Sequence, residues 1–217
     1  MPWPFPSKPS PEDRAVALDV IRHLQTQAAL QQLAMETYNT ALALASSVAQ
    51  KGDEVFVRPV GLVSDPARAA NYLLPALEKK VAIAEAMTTE HQAFPFPLTP
   101  RKAREAYDRC TDFLDVFLAR ARLQLTCWKL WVDDPSRDLR ERLAHLDEAE
   151  DQSMTVAIDA LNDLIQSAGI SAEAWMSLNW AAFNDARSRV GMPPLTKADF
   201  RARFSQGIAG GRPRFFE

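Results

Sequence analysis

Glycine is scarce in this chain, with seven residues in 217. Phosphate-cradling loops and tight hairpins consume glycine, so a nucleotide-binding α/β fold is not expected. Cysteine is scarcer still: Cys110 and Cys127 stand alone. Both fall on one expected helix, where 17 residues at 1.5 Å each separate them by about 25 Å, too far for a disulfide. They read as buried thiols. Long apolar runs are missing as well. Mean hydropathy is −0.22, and nothing approaches the roughly 20 residues that cross a bilayer as a helix. The opening residues carry one lysine and no apolar stretch, so no secretory leader is read there and a cytoplasmic protein is the default expectation.

What is present is ordinary globular material, 47% hydrophobic and 24% charged. A chain of this length buries about 70% of its unfolded surface, so a core forms without metal, disulfide or cofactor. Fifteen prolines do most of the parsing, because proline is tolerated in a first helical turn and disfavoured inside a helix. Ser10-Pro11, Asp65-Pro66, Thr99-Pro100 and Asp134-Pro135 each place a capping oxygen before a first-turn proline. The expected helices run from Pro11 to Gln50, Pro66 to Glu90, Pro100 to Val132, Pro135 to Ser167 and Ser171 to Gly191. A short sixth runs from Thr196 to about Phe204. Pro75 predicts a kink in the second. The segment from Asp53 to Val63 is β-prone but holds Pro59 and Gly61, and reads as an extended connector.

These elements give an all-α bundle of about five long helices plus one short helix, with an extended proline and aromatic arm over residues 1–10 and a flexible basic tail over 206–217. A candidate sub-boundary falls near 92–98, where PFPLTPRKAREA echoes PFPSKPSPEDRA at the start of the chain. In the first helix Ile21, Ala28, Met35, Leu42 and Ala49 recur every seven residues, with Leu24, Gln31, Tyr38 and Ala45 three positions after the first four. That is a coiled-coil-like seam. Leu30, Leu33, Ala34, Ala41, Leu44 and Val48 widen it, which predicts a helix that is central or oligomeric.

Few residues point to chemistry. No Glu-x-x-His pair of the kind that holds metals in bundles is present. Glu141, His145 and Glu148 share a helix face and form the best candidate for a helical-pocket enzyme, against a solvated face of alternating charge. Cys127 sits among apolar neighbours that raise a thiol pKa. Residues 181–217 carry seven Lys/Arg against three acids on an otherwise acidic chain. Arg187, Arg189, Arg201 and Arg203 thus offer a nucleic-acid alternative through a helix-turn-helix. Trp3-Pro4-Phe5-Pro6 forms a stiff arm suited to docking in a groove. Phe215 and Phe216, beside Arg214, form an aromatic and cationic plug at the end of the flexible tail.

The stretch ETYNTALALASSVAQ with DPARAANYLLPALEKKVAIAEA, within residues 36–86, resembles phasins, the helical proteins that coat polyhydroxyalkanoate granules. The resemblance implies a non-enzymatic, self-associating protein that binds a hydrophobic granule surface. The expected function is therefore a non-catalytic helical binding and assembly protein with no catalytic residues, cofactor or metal. It associates with a protein partner or with itself through Trp3, Phe5, Met35, Tyr38, Leu42, Arg201, Arg203, Arg214, Phe215 and Phe216. The nucleic-acid binder and the helical-pocket enzyme stand as alternatives.

Overall fold

The computed structural model describes residues 10–49, 56–57, 61–62, 66–133 and 140–202. Ser10 opens the first helix: its Oγ accepts the Asp13 N–H at 3.0 Å and donates to Asp13 Oδ2 at 2.9 Å, which satisfies an orphan donor of the first turn. Helix α1 then runs Pro11–Ala49. A minimal antiparallel ladder follows, β1 (Phe56–Val57) and β2 (Gly61–Leu62), with Phe56 opposite Leu62 and Val57 opposite Gly61. Where the sequence predicts an extended connector, the described residues 56–57 and 61–62 thus form two strands of two residues each.

Four further long helices are α2 (Pro66–Ala93), α3 (Arg101–Asp133), α4 (Arg140–Ser167) and α5 (Ala172–Arg189). The described part of a sixth, α6, covers 197–202. The fold is the expected all-α bundle of five long helices and a short one. Helix α2 continues through Pro75 and ends three residues beyond Glu90. At α3 the cap differs from expectation. The carbonyl of Pro100 accepts from Ala103 N at 2.9 Å and Arg104 N at 3.3 Å, so Pro100 holds the cap position and the first turn starts at Arg101. Gly169 (φ +64°) and Gly191 (φ +76°) follow α4 and α5. In both places a positive φ lets the chain fold over the last carbonyls, as in Met192 N to Arg187 O at 2.8 Å.

Two compact units divide the chain. The first collects residues up to Ala29, Phe94–Cys110 and residues from Thr155 on; the second collects Leu30–Ala93 and Thr111–Met154. In the second unit α2 and α3 are antiparallel, since rising positions on one pair with falling positions on the other: Glu78 with Lys129, Lys80 with Gln124, Glu85 with Arg122 and His91 with Thr111. Its core gathers Tyr38, Ala41, Ala45, Leu73, Ala76, Leu77, Cys127, Trp128 and Leu143. In the first unit His23 stacks on Phe94, and Phe94 and Phe96 both approach Tyr107.

The seam of α1 is rotated from its expected position. Leu24, Gln31, Tyr38 and Ala45 are buried, but the companion column is Val20, Gln27, Ala34 and Ala41. Ala28, Met35 and Leu42 are half-buried. With Ile21, Gln25, Leu30 and Leu33 also buried, the helix is covered on several sides by its own chain. The small side chains Ala34, Ala41 and Ala45 permit that close approach. Leu44, by contrast, is 50% exposed.

Candidate functional site

Sequence places Leu73, Leu77, Lys80, Ala84, Met87 and His91 on one stripe of α2, spaced four and three apart, and all six are buried. A lysine therefore occupies a core position. Its side chain is 0% exposed, with the butyl stem lying in apolar surroundings and the nitrogen carried to the centre of the second unit. Helix α3 answers with Gln124, buried between the Phe117 and Trp128 turns of its own stripe. Lys80 Nζ donates to Gln124 Oε1 at 3.1 Å. The nitrogen also stands over two aromatic faces, 5.5 Å from the ring centroid of Tyr38 and 5.4 Å from that of Phe117, positions that favour a cation.

A second cation lies nearby. Arg120, also on α3, donates from Nε to Asp147 Oδ1 and pairs through Nη1 with Glu150 Oε2 at 3.0 Å. Both acids come from α4, three residues apart and so on one helix face. Glu150 is buried while Asp147 is exposed, so the network reaches from solvent inward to Lys80. It holds two cations and two anions, which is how buried charge is normally tolerated.

Titration follows from this burial. Desolvation pushes the Lys80 ammonium down from 10.5 to about 8; Arg120 pushes the same way, and Glu150 and Asp147 oppose. Burial likewise raises the Glu150 carboxyl above its ordinary range despite Arg120 and Lys80. For Arg120 burial works against the charge, but Glu150 and Asp147 outweigh it and hold the guanidinium above its usual value. Burial raises the Tyr38 phenol.

The first unit contains a different polar construction. Trp180, Asn184 and Arg187 lie on one stripe of α5 at i, i+4 and i+7 and grip the following turn. Trp180 Nε1 and Asn184 Nδ2 each donate to the Leu195 carbonyl at 3.0 Å, Leu195 N–H donates to Asn184 Oδ1 at 2.8 Å, and Arg187 Nε donates to the Pro193 carbonyl at 2.7 Å. Phe183 packs on Phe200, and Lys197 stands over Trp180.

These contacts locate the residues singled out from sequence. Arg187 is buried in the turn and Arg189 pairs with Asp185 at 2.8 Å, so two of the four arginines offered for nucleic acid are engaged within α5 and its turn. Arg201 is exposed. Tyr38 belongs to the core, while Met35 and Leu42 are half-buried, Leu42 against that same core. His145 and Glu148 are exposed, with Glu148 accepting from Gln152 Nε2 at 3.1 Å; the side chain of Glu141 lies outside the described residues. Trp3, Phe5, Arg203, Arg214, Phe215 and Phe216 also lie outside them, as do the 1–10 arm apart from Ser10, and the 206–217 tail.

Among the described residues no group of three His, Cys, Asp or Glu gathers to hold a metal ion, and no helix is long and apolar enough to cross a membrane. Cys110 and Cys127 are buried and form no disulfide, and burial raises the Cys110 thiol to about 12. Sequence reasoning missed Lys80, Gln124, Arg120 and Glu150; the signal for the first two was their place in the apolar stripes. No protein-family model, curated protein or solved structure matches the chain.

Proposed function

We propose that the chain is a non-catalytic helical binding and assembly protein that docks an apolar partner surface. The observation that carries this reading is the Phe94–Pro100 connector of the first unit. There Leu98 is 78% exposed and Phe96 48% exposed, on a strap stiffened by Pro95, Pro97 and Pro100. The strap is pinned from beneath, with His23 and Phe94 ring centroids 4.2 Å apart and the Phe96 ring edge-on to Tyr107 at 5.3 Å. A pre-ordered apolar side chain loses little conformational freedom when it docks, so most of its burial energy is available to binding. Leu98 and Phe96 thus have the character of contact residues.

A hydrophobic granule surface, which the phasin resemblance implies, fits this reading. The sequence adds further aromatic residues toward its ends, Trp3, Phe5, Phe215 and Phe216. Association of the chain with itself is the other outcome that exposed apolar side chains support.

The test uses the full chain and a Phe96→Ser/Leu98→Ser double variant, sedimented with amorphous polyhydroxybutyrate particles and sized by light scattering. Wild type is expected to co-sediment, with retention falling by about tenfold or more in the variant, the lower bound set by losing one buried side chain. Leu98→Ser alone, which removes the more exposed side chain and leaves the Phe96–Tyr107 contact in place, is the control for a loss of folding, and its melting temperature stays close to wild type. Failure of wild type to co-sediment, or equal retention of both proteins, overturns the granule-surface reading. A concentration-dependent oligomer that the double variant abolishes assigns the same residues to self-association.

A further inference from the structure

The Lys80 ammonium makes one hydrogen bond, to Gln124 Oε1, and stands over two ring faces at cation–π distance. The groups around it come from every helix of the second unit. Helix α1 presents Tyr38; α3 presents Phe117, Arg120 and Gln124; α4 presents Glu150 and Asp147. Both carboxylates are paired to Arg120, so Lys80 shares its counter-charge with a neighbour of its own sign. An amide oxygen and two aromatic faces are a poor substitute for the hydration of a full charge. A neutral amine, by contrast, keeps the bond to Gln124 and needs little else.

We propose that Lys80 is a proton-controlled latch of the second unit, in which the helices close firmly on the neutral amine and part more readily around the ammonium. The direction follows from linkage. In the unfolded or opened chain Lys80 titrates near 10.5, and in the closed unit near 8. Between those values the open form binds more protons, so raising the pH through the window stabilises the closed form. Below about 8 both forms carry the proton and that stabilisation is absent. Acidification through this pH therefore loosens the unit. Tyr38, whose pKa burial raises, acts in the opposite sense but at higher pH, beginning near its unfolded value of 10.0.

Hydrogen exchange of the full chain between pH 7 and 9, corrected for intrinsic rates, reads the latch directly. Protection of the α2 and α3 amides in the second unit is expected to rise about tenfold across this interval in wild type. In Lys80→Met, which keeps the stem and removes the charge, protection starts higher and stays flat. A parallel rise in both proteins, or none in wild type, overturns the proposal. Glu150→Gln provides a second reading if Lys80→Met fails to fold. Removing a carboxylate that supports the ammonium moves the midpoint of the rise to lower pH, and an unmoved midpoint overturns the assignment to Lys80.

Discussion

Lys80 and Gln124 lie 44 residues apart in the chain and meet through a 3.1 Å hydrogen bond inside the second unit. The bond ties α2 to α3 at one register, since sliding either helix by a turn separates a buried donor from its acceptor. Replacing Gln124 by Leu removes the hydrogen-bond acceptor of Lys80 and leaves the ammonium with the two ring faces and the Glu150 and Asp147 carboxylates it shares with Arg120. The variant is expected to lose about 2 kcal/mol of stability at pH 7, with a smaller loss at pH 9, where the amine is mostly neutral. Urea titration at the two pH values checks both numbers.

The two acids that Arg120 holds are unequal. Glu150 is buried, so Glu150→Ala strands Arg120 and Lys80 with one carboxylate fewer and is expected to cost about 3 kcal/mol. Asp147 is half exposed, with 52% of its side chain accessible, and Asp147→Ala costs under about 1 kcal/mol. Chemical denaturation of the two single variants distinguishes them.

Asn184→Ala removes the Asn184 donor and acceptor serving Leu195 and leaves the backbone N–H of Leu195 without this partner. A loss of about 2 kcal/mol is expected. It should appear first as faster hydrogen exchange in α6 and the turn before it. Asn184→Asp retains the acceptor for the Leu195 N–H but turns a carboxylate oxygen toward the Leu195 carbonyl where the donor stood, so it does not restore the stability lost in Asn184→Ala.

Cys110 and Cys127 are buried in the native protein, and a thiol held near pKa 12 supplies almost no thiolate at pH 8. Neither is expected to react with Ellman's reagent within minutes, and both react fully in guanidinium. Rapid native labelling of Cys110 contradicts its placement in the packed face of α3.

Helix boundaries are legible in this sequence because proline and hydroxyl caps act locally. Ser10 with Pro11, Ser171, and Thr196 with Asp199 each set a first turn through contacts three residues long. Pro100 departs from the pattern because its own carbonyl accepts the first α3 bonds, a choice that depends on the preceding backbone. Burial around α1 is less legible. Periodicity identifies Leu24, Gln31, Tyr38 and Ala45, but whether Val20 and Gln27 or Ile21 and Ala28 complete the seam depends on the neighbours' approach.

The charged network is harder to read. Lys79 and Lys80 are adjacent and chemically identical, yet Lys79 is exposed and Lys80 fully buried. Only the four-three spacing from Leu73 to His91 separates them, and a charge in such a stripe resembles a solvated interruption until its partner is known. That partner lies on another helix, where no local rule connects it.

Asn184 offers Leu195 one acceptor and one donor, the same pair that an adjacent strand offers in a sheet. The turn after α5 is thus recognised through its main chain: Trp180 and Asn184 read the Leu195 carbonyl, and Arg187 reads that of Pro193. Pro193 and Pro194 surrender N–H groups that none of these three side chains engages, and the first amide after them is the one Asn184 accepts. The grip measures length. Side chains in this loop are open to exchange, whereas one inserted or deleted residue displaces the chain by about 3.5 Å and breaks the register of all three contacts together.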